Sequence, residues 1–162
     1  MKLIPLTRGR EAMVDDCDYE YLMQWKWLYH SNGRPTGYAI RAEYSAGQQR
    51  IVRLHRVVAA RHGLVTAGEQ IDHIDGDGLN NCRENLRLAT NRQNAGNQRR
   101  QRNNTSGFKG VYWAKREGKW RARIGEGGRH HLGYFDDSLE AARAYNEAAL
   151  KHYGEFACLN PV

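Results

Sequence analysis

Ile71-Asp72-His73-Ile74-Asp75-Gly76-Asp77-Gly78-Leu79-Asn80-Asn81-Cys82-Arg83-Glu84-Asn85-Leu86-Arg87-Leu88-Ala89-Thr90-Asn91-Arg92-Gln93-Asn94 sets the fold class of this 162-residue chain. Ile71 to Ile74 is a short strand, Gly76 and Gly78 force a loop rich in Asp and Asn, and Asn85 to Leu88 is a second strand with alternating apolar positions. Thr90 caps a helix, with Gln93 as its capping-box partner. The stretch predicts strand, loop, strand and helix within about 24 residues. Its polar groups are a carboxylate beside an imidazole, then amides. That set suits metal-assisted hydrolysis of a phosphodiester, because hard oxygen ligands suit Mg²⁺ and an imidazole of pKa about 6.5 takes a proton from water at neutral pH. An EF-hand calcium loop fails, since its position 12 needs a bidentate Glu and falls on Arg83 counted from Asp72 or on Leu86 counted from Asp75. Ordinary Asx turns account for one such loop, but not for the whole spacing.

The pattern D-H-x-D-G-D-x-x-N-N-x-x-x-N-L, followed by Asn94 nine residues after Asn85, resembles the HNH endonuclease family in its phage and intron-encoded homing branch. His73 stands at the first letter of the motif, Asn85 at the middle Asn and Asn94 at the last, where His is common in the wider family and Asn is usual in this branch. The resemblance implies that His73 is the general base activating water. It implies that Asp72 and Asn94 hold one divalent metal, Mg²⁺ with Mn²⁺ as the alternative, and that Asn85 fastens the loop and orients His73. The ends expected are 5′-phosphate and 3′-hydroxyl. Asp75, Asn80 and Asn81 are read as loop-holding residues, and His30, His55 and His62 as structural or surface histidines.

Upstream, Tyr19 to Met23 is a short helix and Trp25 to Tyr29 an aromatic strand, followed by a turn over residues 31–37. Tyr38 to Tyr44 alternates as the return strand, Ile51 to Leu54 is another strand, and Leu54, Val57, Val58 and Arg61 fall at helical spacing before Gly63. This β-rich part reads as scaffold. Downstream, residues 97–105 have no apolar anchor and read as a basic linker whose Arg99, Arg100 and Arg102 follow a phosphate backbone.

From Ser106, the chain predicts three strands and one helix. Gly107 to Trp113 is the first strand. In Lys119 to Ile124, Trp120, Ala122 and Ile124 share one face, and Arg121 and Arg123 the other. Gly125 to Gly128 makes a turn into His130 to Phe135. Asp137 caps a helix that carries Ala141, Ala142, Tyr145, Ala148, Ala149 and His152 and ends at Gly154. The motifs S-G-F-K-G-V, K-W-R-A-R-I, L-G-Y-F-D and E-A-A-R-A-Y-N-E-A-A, closing on Leu159-Asn160, resemble the AP2 DNA-binding domain. The resemblance implies a three-stranded sheet that enters the major groove, backed by the helix, with DNA contacts at Lys109, Tyr112, Arg121, Arg123, Arg129 and His131. Tyr112, Arg123 and His131 differ in type from the plant pattern, so site preference does not carry over.

The net charge of +7 is uneven, +2 over residues 1–92 and +5 over residues 93–162, and points to a polyanionic partner. No apolar run approaches the ~20 residues of a membrane span. The N-terminus lacks a secretory signal, and Cys17, Cys82 and Cys158 form neither a disulfide framework nor a C-x-x-C zinc pair. The expected fold is α+β: a ββα-metal HNH module with a β-rich N-terminal part over 1–96 (motif 71–94), a linker over 97–105, and an AP2-like module over 106–162. The expected function is metal-dependent, site-specific cleavage of double-stranded DNA, without a membrane or a small-molecule cofactor. The expected setting is the cytoplasm of a phage-infected or intron-bearing bacterial host; the sequence leaves oligomeric state open. A non-catalytic DNA-binding regulator with a relic HNH segment is the alternative, and an RNA-binding protein the third reading.

Overall fold

The computed structural model describes residues 1–31, 37–64, 68–125 and 130–162. The expected turn over 31–37 and that over 125–128 fall largely outside them. The chain is α+β, and its contacts divide it into two compact units, Met1–Ala89 and Thr90–Val162. No helix among the described residues is long and apolar enough to cross a membrane.

In the first unit β1 (Lys2–Pro5) and β2 (Glu11–Val14) form an antiparallel pair, which puts Ile4, Ala12 and Val14 on one buried face. The short helix α1 (Asp16–Leu22) follows. Strands β3 (Leu28–His30), β4 (Tyr38–Ser45) and β5 (Gln48–Arg53) make an antiparallel sheet in that order, and α2 (Leu54–Arg61) leaves its end. The last pair, β6 (Gln70–His73) and β7 (Leu86–Ala89), is antiparallel with Asp72 opposite Arg87. Leu22, Trp27, Leu54, Val58 and Leu86 join the β1–β2 residues in one core.

The aromatic strand expected from Trp25 begins only at Leu28. Trp27 is 1% exposed and donates its indole N–H to the Leu22 carbonyl at 2.9 Å, so it joins the Trp25 N–H on an acceptor at the end of α1 instead of pairing in a sheet. Asp18 on α1 is wholly buried and accepts from Arg61 Nε and pairs with His62 Nε2, each at 2.7 Å, which ties α1 to the end of α2. Burial pushes the Asp18 pKa up, but these two bonds outweigh it and hold the carboxyl below the usual range.

His55 is 6% exposed, and burial, with His73, Arg53 and Arg56 nearby, pushes its pKa down to about 3. The unfolded chain takes up a proton near 6.5 and the folded one does not until about 3. The contribution of His55 to stability is therefore complete above about pH 6.5 and is lost as pH falls toward 3, at up to about 1.4 kcal/mol per pH unit. Urea unfolding between about pH 7 and 5, where few carboxylates titrate, should show this loss. His55→Gln should reduce it, with His73, also lowered by burial, supplying the remainder, and an unchanged slope in that variant would reassign the effect.

In the second unit Thr90 and Gln93 close a reciprocal capping box on α3 (Asn91–Asn97). Strands β8 (Val111–Ala114), β9 (Lys119–Ile124) and β10 (His130–Phe135) form a sheet with β9 central, and α4 (Ser138–Tyr153) covers one face. Val111, Ala122 and Ile124 pack against Ala141, Ala142, Tyr145 and Ala149, the small side chains letting helix and sheet approach. Asp137 stands at the N-cap of α4 without a side-chain capping bond. The helix α3 belongs to this unit: the Gly96 carbonyl accepts from Lys109 Nζ at 2.6 Å and from the Cys158 N–H at 3.1 Å. Within the basic stretch, Asn104 Nδ2 donates to the Phe108 and Val111 carbonyls at 2.8 and 3.1 Å.

The strand expected from Gly107 starts at Val111, because residues before it turn. Gly110 has φ +74°, and a Cβ there would meet the Tyr145 ring and the Arg123 carbonyl, the latter at 2.6 Å. Gly110→Ala should therefore destabilise the protein by about 1–3 kcal/mol through overpacking and backbone strain. Thermal melting checks it, and a midpoint equal to wild type would show that the turn yields.

Candidate active site and nucleic-acid interface

A strand alternates its side chains, so Asp72 and His73 at the end of β6 point to opposite faces although both are about 5% exposed. Asp72 Oδ2 accepts from Arg87 Nε at 3.0 Å across the β6–β7 pair. The His73 ring meets His55 nearly perpendicularly, at 86° with centroids 5.0 Å apart, and lies 6.0 Å from the Tyr38 ring. Burial lowers the His73 pKa most, against the raising effect of Asn81 and of the Asp75, Asp72 and Asp77 charges, and the net shift is downward. His73 therefore carries a neutral imidazole at neutral pH.

The loop between the strands is held by its own amides and carboxylates. Asn85 Nδ2 donates to Asp75 Oδ1 at 3.0 Å and to the Asn80 carbonyl at 2.8 Å, while its Oδ1 accepts the Asp75 N–H at 3.0 Å. Asn80 Nδ2 and the Asp77 N–H also donate to Asp75, at 2.7 and 2.8 Å. Gly78 is required by close approach, since a Cβ there would run into the Gly37 carbonyl and the Tyr38 ring. The amide that faces the His73 ring is that of Asn81, with Oδ1 3.4 Å from Nε2. Asn81 is fully buried, donates its Nδ2–H to the Leu79 carbonyl and gives its N–H to the Met13 carbonyl on β2. The family resemblance assigns the orientation of His73 to Asn85, whereas the contact with the ring is made by Asn81. The Asn80-Asn81 doublet is the one signal of this in the sequence, but which Asn turns inward depends on β2.

Asp72, His73 and Asn85 lie in the first unit, and Asn94 lies on α3 in the second. The donors proposed for a metal, a carboxylate and an amide oxygen without a thiolate, suit a hard divalent cation in chemistry. Cys17, Asp18 and His62 also bring ligand atoms within 4.8 Å of one another, but both Asp18 oxygens already serve Arg61 and His62.

In the second unit the sheet face away from α4 carries Tyr112, Arg121, Arg123 and His131 together. Arg121 pairs with Tyr112 on one side and with Tyr134 on the other, its guanidinium lying 5.9 and 5.6 Å from the two ring centroids. Its Nε donates to His131 Nδ1 at 3.3 Å. A register shift between His131 and Gly133 keeps His131 and Tyr134 on this face while Leu132 packs toward α4. Sequence reasoning misses Tyr134 because simple alternation does not count a bulge. Lys109 is half-buried, its pKa is lowered by desolvation, and its ammonium is turned to the Gly96 carbonyl. Arg99, Arg100 and Arg102 are exposed, and Arg129 falls outside the described residues.

The HNH endonuclease profile matches residues 52–96, and the AP2 domain profile residues 106–155. Protein 3.8 of Escherichia phage T7 is 36% identical over 102 residues, covering 63% of this chain and 84% of that protein. An uncharacterized HNH endonuclease, L560, of Acanthamoeba polyphaga mimivirus is 29% identical over 163 residues, covering 99% of this chain and 80% of its own length. APETALA2-like protein 2 of Oryza sativa subsp. indica is 40% identical over 60 residues, which is 36% of this chain and 14% of that protein. No solved structure matches.

Proposed function

Because this chain belongs to the HNH endonuclease family and carries an AP2 domain, we propose that it is a metal-dependent, site-specific DNA endonuclease of the homing type. The HNH and AP2 domains support a nuclease that binds DNA. The finer reading rests on one observation above the others: a neutral, buried His73 imidazole at the end of β6, next in sequence to the buried Asp72 carboxylate.

In this reading His73 accepts a proton from water as the oxygen attacks phosphorus. The bond from phosphorus to the 3′ oxygen breaks, and that oxygen takes a proton from solvent as it leaves, giving 5′-phosphate and 3′-hydroxyl ends. Asp72 and Asn94 would hold the divalent cation, Mg²⁺ or Mn²⁺. When bound, it supplies charge stabilisation to the phosphate and the leaving oxygen. Asn85 keeps the loop closed through its bonds to Asp75 and Asn80, and Asn81 aligns the His73 ring. The Tyr112–Arg121–Arg123–His131 face supplies affinity for double-stranded DNA, with the arginines at residues 99–102 on the backbone.

The test is incubation of plasmid DNA and of RNA with and without Mg²⁺, followed by sequencing of any new ends. Discrete DNA ends bearing 5′-phosphate are expected. Tight DNA binding without any cut would favour the regulator, and RNA binding alone the third reading.

A further inference from the structure

We propose that Tyr112 and Arg123, with the basic segment 98–104, form a cleft that grips one backbone phosphate, leaving Arg121 to read bases; this rests on the reading of the sheet as a DNA-binding face. Within the second unit a cavity of about 570 Å³ lies between that segment and the sheet. Among the described residues its wall includes four cationic side chains, Arg99, Arg100, Lys109 and Arg123, and no Asp or Glu. A cavity whose charged walls are all cationic selects an anion.

Two residues of the wall, Tyr112 and Arg123, each carry a donor that the protein leaves unused. Tyr112 Oη and Arg123 Nε are shut off from solvent and meet no hydrogen-bond partner among the described residues. Buried polar groups are nearly always paired, so two orphans beside one cavity mark a place where an acceptor belongs. Both groups can donate, and a phosphate oxygen only accepts. The Arg123 guanidinium lies 5.2 Å from the Tyr112 ring centroid, so the two side chains are neighbours on the sheet. Arg123 stands near the end of β9, beside the Gly110 turn, whose carbonyl accepts the Arg123 N–H at 2.9 Å.

Arg121 is placed differently. Its Nε is already bonded to His131, and its guanidinium sits between two tyrosine rings in the middle of the sheet face. That arrangement stiffens a long side chain and leaves its remaining N–H groups for a base edge, where Arg recognises guanine. The two arginines share one strand face, so sequence alone does not separate them; the cavity and the orphaned donors do.

The experiment measures binding of the full-length protein, without divalent metal, across a salt series. The probes are a duplex selected by the wild type from a randomised library and one unselected duplex. R123Q should weaken binding to both by the same factor and make the slope of log K on log salt shallower by about 0.9, the loss of one phosphate. Y112F should weaken both duplexes equally, and R121Q should instead reduce the preference for the selected duplex. Arg100 is exposed, so R100Q gives a variant without risk to the fold, and it should again weaken both duplexes equally. Inorganic phosphate is a separate probe. An unchanged slope in R123Q overturns the proposal, whether phosphate binding then assigns the cleft to a free ion or its absence leaves the cleft without a ligand. A loss confined to the selected duplex makes Arg123 a base reader and also overturns it. Failure of the wild type to bind any duplex overturns the DNA reading and this proposal with it.

Discussion

Replacing His73 by alanine is expected to lower the rate of DNA cleavage by about 10²–10⁴-fold while gel-shift affinity stays at the wild-type level. At the end of β6, the imidazole combines the position and the protonation state of a base near neutral pH. Its pKa is held below the ordinary value by burial, so it is ready to accept a proton. Its removal opens space beside His55 and Tyr38, and some loss of stability will accompany the loss of rate. A melting curve on the same sample separates the two effects, because a variant still folded at the assay temperature loses rate through its chemistry. The sheet face is in the other unit, so the gel-shift affinity is expected to hold. Nicking by the variant at near wild-type rate would end the assignment of His73.

Removal of divalent metal should have an effect as large. Excess EDTA should reduce cleavage to background, and Mg²⁺ or Mn²⁺ should restore it, since hard oxygen donors favour those ions. Asp72 is the residue to change alongside. It is buried, and its Oδ2 is bonded to Arg87, whose side chain is only 14% exposed. Asp72→Ala would remove that bond, and breaking a fully buried pair costs about 3–5 kcal/mol. Asp72→Asn keeps the shape and removes the charge, so it is the better probe. It should shift the metal concentration needed for half-maximal cleavage upward or abolish cleavage outright. Asn94→Ala tests the second donor from α3. Undiminished cleavage in excess EDTA would rule out the metal.

The features legible in the amino-acid sequence are those confined to short windows. The Thr90–Gln93 capping box closes over three residues and forms as its spacing requires. The alternation of Lys119 to Ile124 separates a face for α4 from a cationic face, and the strand obeys it. Within the Gly76 to Asn85 loop, the bonds that gather Asn80 and Asn85 on Asp75 join groups ten or fewer residues apart. Each is a local hydrogen bond or a local periodicity, so composition and spacing specify it.

Such local signals suffice for the α+β class, for the two kinds of module and for the residues worth testing, because each repeats within a turn or a strand. How those residues are used depends on packing across the chain. Trp27 leaves the expected strand to donate to Leu22 because the core has a place for its indole. Asn81, rather than Asn85, faces His73 because its backbone is fixed to Met13 on β2, far away in the chain. Tyr134 joins Arg121 because a bulge resets the alternation of β10. Arg123 parts from Arg121 because the segment 98–104 walls a cavity beside the former. Contacts between distant parts of the chain depend on which surfaces pack together, and that is a property of the whole core rather than of any window of sequence.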